Sequence, residues 1–231
     1  QYGIKGTFNV NSGLEGDPVR IPQAEYRELY KGHEVACHTV SHPTIGRCPL
    51  ELVAQEVIED RKKLESIMGY PVRGLAYPNG SESPEIRAML PALGIRYGRV
   101  VGNTDGFAMP EDFLQWKATC HHNHNLLELG QQFVDLHKKQ YLYMMYVWGH
   151  SYEFTNNNNW EVMEDFCKLV GGKDDIWYAT NIQIVDYMDV VKAAQYAADG
   201  SFVYNPCAQS LWLCVDDEKF VEVKGGQQVQ L

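Results

Sequence analysis

Three of the chain's eight histidines fall within ten residues, His33-Glu34-Val35-Ala36-Cys37-His38-Thr39-Val40-Ser41-His42. His38 and His42 stand four apart, a spacing that brings two imidazoles to one side of a helical turn. Two neutral imidazoles suit Zn²⁺ or a similar divalent ion. Alone the pair is a weak signal, because a surface or capping histidine is the commoner use. It is not a metalloprotease pattern, since Thr39 stands where the glutamate should follow the first histidine.

Arg73-Gly74-Leu75-Ala76-Tyr77-Pro78-Asn79-Gly80 runs from a strand-like segment into a Pro/Gly turn. Arg73 suits a carboxylate, and a backbone N–H near Tyr77 suits an oxyanion. The plainer reading is a strand-to-loop junction with a surface arginine. Further on, an apolar run ends in His150, between Trp148 and Tyr152. A histidine at a strand end is placed for acid–base work, or simply hydrogen-bonded at a rim. Trp116-Lys117-Ala118-Thr119-Cys120-His121-His122-Asn123-His124 reads as a second metal patch or, more plainly, as a polar loop.

The elements that must position these groups alternate. Strand candidates are 4–10, 34–37, 74–77, 96–101, 141–148 and 176–179, short and rich in Val, Ile, Tyr and Phe. Helix candidates are 49–68, 84–93, 126–139, 160–170 and 181–197. The first carries Val53, Val57 and Leu64 at helical spacing, with residues 59–63 mostly on the other side and Gly69 as a stop. Such alternation predicts an α/β fold with a parallel sheet, whose chemistry sits just past the strands' C-terminal ends. After about Gly200, three short strand-like runs separated by turns predict a small β appendage.

A chain of 231 residues is long enough for a full core without staples. Its formal charge of −10 disfavours nucleic acid and anionic membrane as partners. No apolar run approaches the length needed to span a bilayer, and no signal peptide is visible. The six cysteines form no C-x-x-C pair and read as reduced thiols, which favours a reducing, cytoplasmic compartment.

Taken together and in this order, the features resemble the polysaccharide deacetylases of the NodB-like group, carbohydrate esterase family four. His38-Thr39-Val40-Ser41-His42 is similar to its H-[ST]-x-x-H metal motif. Arg73–Gly80 is similar to its arginine-containing third motif, and His150 to its late histidine. Gly3–Val10 is similar to its T-F-F strand. The resemblance implies a distorted (β/α) barrel over residues 1–198 that lacks its first strand, with residues 199–231 as an appendage packed on it.

It also implies a metal-dependent hydrolase that removes N-acetyl groups from an amino-sugar polymer or oligosaccharide. His38 and His42 are then ligands of a divalent metal, zinc first, with cobalt, nickel or manganese as alternatives. His150 is the acid to the leaving amine, and Arg73 orients the base. An N–H near Tyr77 serves the oxyanion. Trp148 and Tyr152 wall the acetyl methyl group, and Trp116 and His122 lie on the substrate side. The family's T/S-F-D-D-G motif, source of the base and the third ligand, is expected before Gln1. Asp174-Asp175 and Asp216-Asp217 stand in the wrong place for it, the latter in a turn context. Two other readings stay open: an inactive carbohydrate-binding relative, and a hydrolase of non-sugar amides.

Overall fold

The computed structural model describes residues 2–17, 19–138 and 140–231. Strands β1 (Thr7–Val10), β2 (Glu34–Cys37), β3 (Gly74–Ala76), β4 (Tyr97–Asn103) and β5 (Trp116–Ala118) form one parallel sheet in that order. Every residue of β2 and β3 is buried, as expected for strands covered on both faces. Two glycines set how closely the central strands approach. A Cβ on Gly74 would lie 2.1 Å from the Tyr97 ring, and one on Gly98 would lie 2.5 Å from the Tyr77 ring. Each strand therefore gives a glycine to its neighbour's tyrosine.

Helices α1 (Tyr26–Leu29), α2 (Leu50–Met68) and α3 (Pro84–Met89) follow β1, β2 and β3. α2 buries Val53, Val57 and Leu64 against Val35, Cys37 and Leu75 of the sheet. It ends at Gly69, whose φ of 78° is the left-handed cap that only glycine adopts cheaply. Asp60 departs from the expected solvent face and is fully buried.

Beyond the sheet, β6 (Cys120–His121) pairs in parallel with β7 (Val147–Trp148). α4 (Leu126–Val134), α5 (Ser151–Asn157) and α6 (Trp160–Val170) complete this region. Leu126 and Leu129 of α4 bury against Phe166 and Val170 of α6. Several expectations change here. Strand 141–148 shrinks to β7, because Met144 and Tyr146 bond instead to Phe107 and Thr119 around it. Residues 176–179 form no ladder among the described residues, and the Tyr178 hydroxyl ties them to the Val170 carbonyl at 2.6 Å. β5, β6 and α5 were not expected: two or three residues of strand, or a polar Ser-Tyr-Glu-Phe-Thr-Asn-Asn helix, carry too little periodicity. The helix expected over 126–139 stops at Val134, and Lys139, like Gln1 at the start, lies outside the described residues.

α7 (Asn181–Ala193) leads into a second compact unit, Gln183–Leu231 with His137–Leu142. There β8 (Gln195–Tyr196), β9 (Phe202–Tyr204) and β12 (Gln228–Gln230) form an antiparallel sheet in the order β12-β9-β8. β10 (Leu211–Val215) and β11 (Lys219–Val223) form a hairpin. Val190, Val203, Leu211 and Val223 make its core. Asp216 and Asp217 sit in the hairpin turn at φ 51° and 58°, which accounts for that acidic pair without chemistry. All six cysteines are free.

Candidate active site

His38 follows the last residue of β2, so its side chain stands at the C-terminal edge of the sheet. The segment to His42 is a tight turn rather than a helix, with Thr39 and His42 left-handed at φ 64° and 59°. A β-branched residue pays for that conformation, by roughly 1–3 kcal/mol. Thr39 offsets the cost locally: its hydroxyl donates to the His38 carbonyl at 2.6 Å and accepts the His42 N–H at 3.1 Å. The two rings meet edge-on with centroids 4.6 Å apart.

Two carboxylates of α2, one turn apart, hold this loop. Asp60 accepts the N–H of Ser12 at 2.8 Å and of His38 at 2.9 Å. Glu56 accepts the N–H and hydroxyl of Ser41 at 2.9 and 2.7 Å. The His38 Nδ1 lies 2.8 Å from the Ala76 carbonyl, which can only accept, so Nδ1 carries the proton and Nε2 is the free lone pair. Burial pushes His38 down to about 4, opposed by the Ala76 bond and reinforced by His42, Arg99 and His150. It is therefore a neutral imidazole near pH 7, the form a metal needs. Among the described residues, no third His, Cys, Asp or Glu joins His38 and His42 in a three-ligand group.

His150 precedes α5, and its Nδ1 lies 3.0 Å from Glu153 Oε1. The exposed Tyr152 ring stacks on it with centroids 5.2 Å apart, and Trp148 stands edge-on at 6.1 Å. The Trp148 indole N–H donates to Asn103 at 3.3 Å. Arg99 of β4 lies over the Trp148 ring, 4.8 Å from its centroid. Its guanidinium is buried, and no carboxylate among the described residues pairs with it.

His38, His42, His150, Trp148 and Tyr152 thus gather at one end of the sheet. Of the four other expected residues, Arg73 stands apart, and Tyr77, Trp116 and His122 are buried. Arg73 precedes β3, at the opposite end of that strand from Tyr77, and its carbonyl takes the Arg96 N–H at 2.7 Å. The buried cation that does lie near His38 is Arg99, which carries no motif and reads in sequence as one more strand residue. The Tyr77 N–H is spent on the Arg99 carbonyl at 3.0 Å, and the Tyr77 hydroxyl donates to the Leu114 carbonyl at 2.6 Å, so it offers nothing to an oxyanion. Trp116 is wholly buried among Tyr97, Phe113 and Tyr146, which puts it beneath the site and out of substrate reach. His122, 2% exposed, is equally closed to substrate. Sequence reasoning missed Asp60, Glu56, Arg99 and Glu153. Of these only Glu153 had a local signal, three residues after His150.

The profile of the polysaccharide deacetylase family matches residues 1–98. Over that segment the chain is similar to the polysaccharide deacetylase family. The matched segment contains β1 to β3, the His38–His42 turn and the Tyr77 turn. Among solved structures, a CE4 family pseudoenzyme from Bacillus anthracis is similar over 79% of this chain and 56% of its own, at 13% identity and a TM-score of 0.50. A mutant of a CE4 family pseudoenzyme with restored enzymatic activity gives 0.50 at 11% identity, over 79% of this chain and 58% of its own. The Streptococcus pyogenes deacetylase PplD in complex with acetate gives 0.46 at 20% identity, over 49% of this chain and 51% of its own. At these identities the likeness concerns the fold. The chain spans between 36% and 58% of the lengths of such deacetylase-fold structures. No curated protein sequence matches it.

Proposed function

We propose that the chain carries the metal-binding and acid–base residues of a hydrolase that releases acetate from N-acetylated amino-sugar polymers or oligosaccharides. The observation that carries the reading is His38. Its Nδ1 proton is tied to Ala76, burial keeps it neutral, and Asp60 fixes its backbone, so that it is preorganised to ligate beside His42. His38 and His42 would hold a divalent ion, with zinc favoured by two imidazoles. Such an ion, when bound, polarises an acyl oxygen and lowers the pKa of a ligated water.

The chain's own groups supply the rest. Glu153 accepts a hydrogen bond from Nδ1–H of His150; in the imidazolium form of that ring, Nε2–H is the proton passed to a departing amine, which leaves the ring neutral with Nδ1–H still on Glu153. Trp148 and Tyr152 flank that imidazole and offer an apolar wall for an acetyl methyl. Arg99 keeps a buried positive charge beside the site and takes the role first given to Arg73. Burial draws its guanidinium below the usual range without discharging it.

The test uses the full gene product with N-acetylglucosamine oligomers. Acetate release is expected to disappear with His150→Ala and with His42→Ala. Release that survives His150→Ala rejects its role as acid. Oligomer binding with no release in the wild type would select a carbohydrate-binding protein instead.

A further inference from the structure

A second group of chelating side chains lies beside His150, and the proposed hydrolysis uses none of them as ligands. His121 closes β6, His122 follows it, and Glu153 projects from the first turn of α5. Glu153 Oε2 is 3.2 Å from His121 Nε2 and 3.0 Å from His122 Nε2. The three atoms lie within 4.8 Å of one another. Ligands about 2.0–2.1 Å from a tetrahedral zinc stand about 3.3 Å apart, so two of these separations already approach the edges of a coordination tetrahedron.

The second observation is what the close pairs fail to do. His122 Nε2 and Glu153 Oε2 are both buried, and neither has a hydrogen-bond partner despite the short approach. Their lone pairs are misdirected for N–H···O bonding. A buried carboxylate oxygen and a buried imidazole nitrogen left in that state cost free energy. A cation between them removes the cost. The His122 ring is also locked in place. A Cβ on Gly149 would fall 1.8 Å from His122 Nδ1, so only glycine at 149 leaves the ring its seat.

We propose that His121, His122 and Glu153 form a second divalent-cation site of the zinc class, separate from His38 and His42, with a fourth position for water. Burial draws both imidazoles below their ordinary range, which suits neutral ligands. His122 and Glu153 are its core. His121 is the weaker ligand, because its Nδ1 accepts the Asn123 N–H at 3.1 Å and must give up that bond when Nε2 binds a metal. The other carboxylate oxygen of Glu153 holds His150. A bound cation would therefore fix the carboxylate that orients His150. The site itself does not depend on the hydrolase reading.

Co²⁺ titration followed by visible absorption tests this. In the His38→Ala/His42→Ala double variant, one equivalent of Co²⁺ is expected to bind with a tetrahedral-type spectrum. Adding Glu153→Gln or His122→Gln should weaken that binding by at least roughly tenfold, and adding His121→Gln by less. Glu153→Gln keeps the volume of a partly exposed side chain, so it decides the matter even if His122→Gln unfolds. In the wild-type background, Glu153→Gln should likewise remove one bound equivalent. A folded double variant that binds no Co²⁺ at micromolar concentration overturns the proposal. So does binding that is indifferent to both Glu153→Gln and His122→Gln.

Discussion

The two histidine groups at this end of the molecule are built in opposite ways. His38 and His42 come from one five-residue turn, held from behind by α2 through Asp60 and Glu56. His121, His122 and His150 come from two strand ends and converge on a single carboxylate, Glu153. The first group is preorganised by backbone bonds, with His38 Nδ1 tied to the Ala76 carbonyl. The second is held by its own side-chain contacts, and two of the contacting atoms are left unsatisfied. A ligand pair held by backbone keeps its geometry when empty. A cluster that leans on one charge should change when that charge is occupied.

The largest expected effect separates the two groups. His42→Ala should abolish Zn²⁺ binding at the first site and leave the Glu153 group unchanged, read by isothermal titration against the wild type. Equal loss at both would mean that the groups are one site.

Gly149→Ala is the sharper cut on the other side. Its methyl must displace the His122 ring, and overpacking of this kind costs about 1–3 kcal/mol. Chemical denaturation should show that loss, together with failure of the second site alone. Unchanged stability would show that the ring has another seat.

Asp60→Asn probes the backbone hold on the first group. The amide keeps one good acceptor for the two N–H groups of Ser12 and His38, so a destabilisation of about 1–3 kcal/mol is expected. First-site metal affinity should fall with it, while affinity at the Glu153 group should not.

The smallest effect concerns Glu34, buried at the start of β2 and distant from both groups in role. It accepts from the Tyr97 and Thr7 hydroxyls and the Ile182 N–H at 2.8, 2.9 and 3.0 Å. Burial raises its carboxyl above the ordinary 4.5, against those hydrogen bonds. A raised carboxyl favours folding below the ordinary value, and that contribution is lost as pH rises through the folded one. Each tenfold difference in proton affinity between the folded and unfolded chain is worth about 1.4 kcal/mol. Glu34→Gln should flatten this part of the stability–pH curve, and an unchanged slope would remove the assignment.

Much of this was legible in the residues. β2, α2 and α6 stand almost where periodicity puts them, because each buries a continuous apolar run or stripe. The His38–His42 turn and His150 are local motifs and were visible as such. Arg99, Asp60 and Glu153 were not, because their meaning comes from partners far along the chain or across a helix face. Asp60 reads as one charge in a polar run, yet it is the most deeply buried acid of α2. Trp116 and His122 failed in the opposite sense. The resemblance implies that both lie on the substrate side, and tertiary packing turns them inward.

The exchange of glycine for tyrosine between β3 and β4 has a consequence for how this sheet can diverge. Position 74 can gain a methyl only if the ring at 97 shrinks, and position 98 only if the ring at 77 does. Neither change is tolerable alone, so each pair is expected to drift as a unit across related sequences. Two small-for-large compensations, 74 with 97 and 77 with 98, would mark relatives that keep this strand spacing and separate them from those that have opened it.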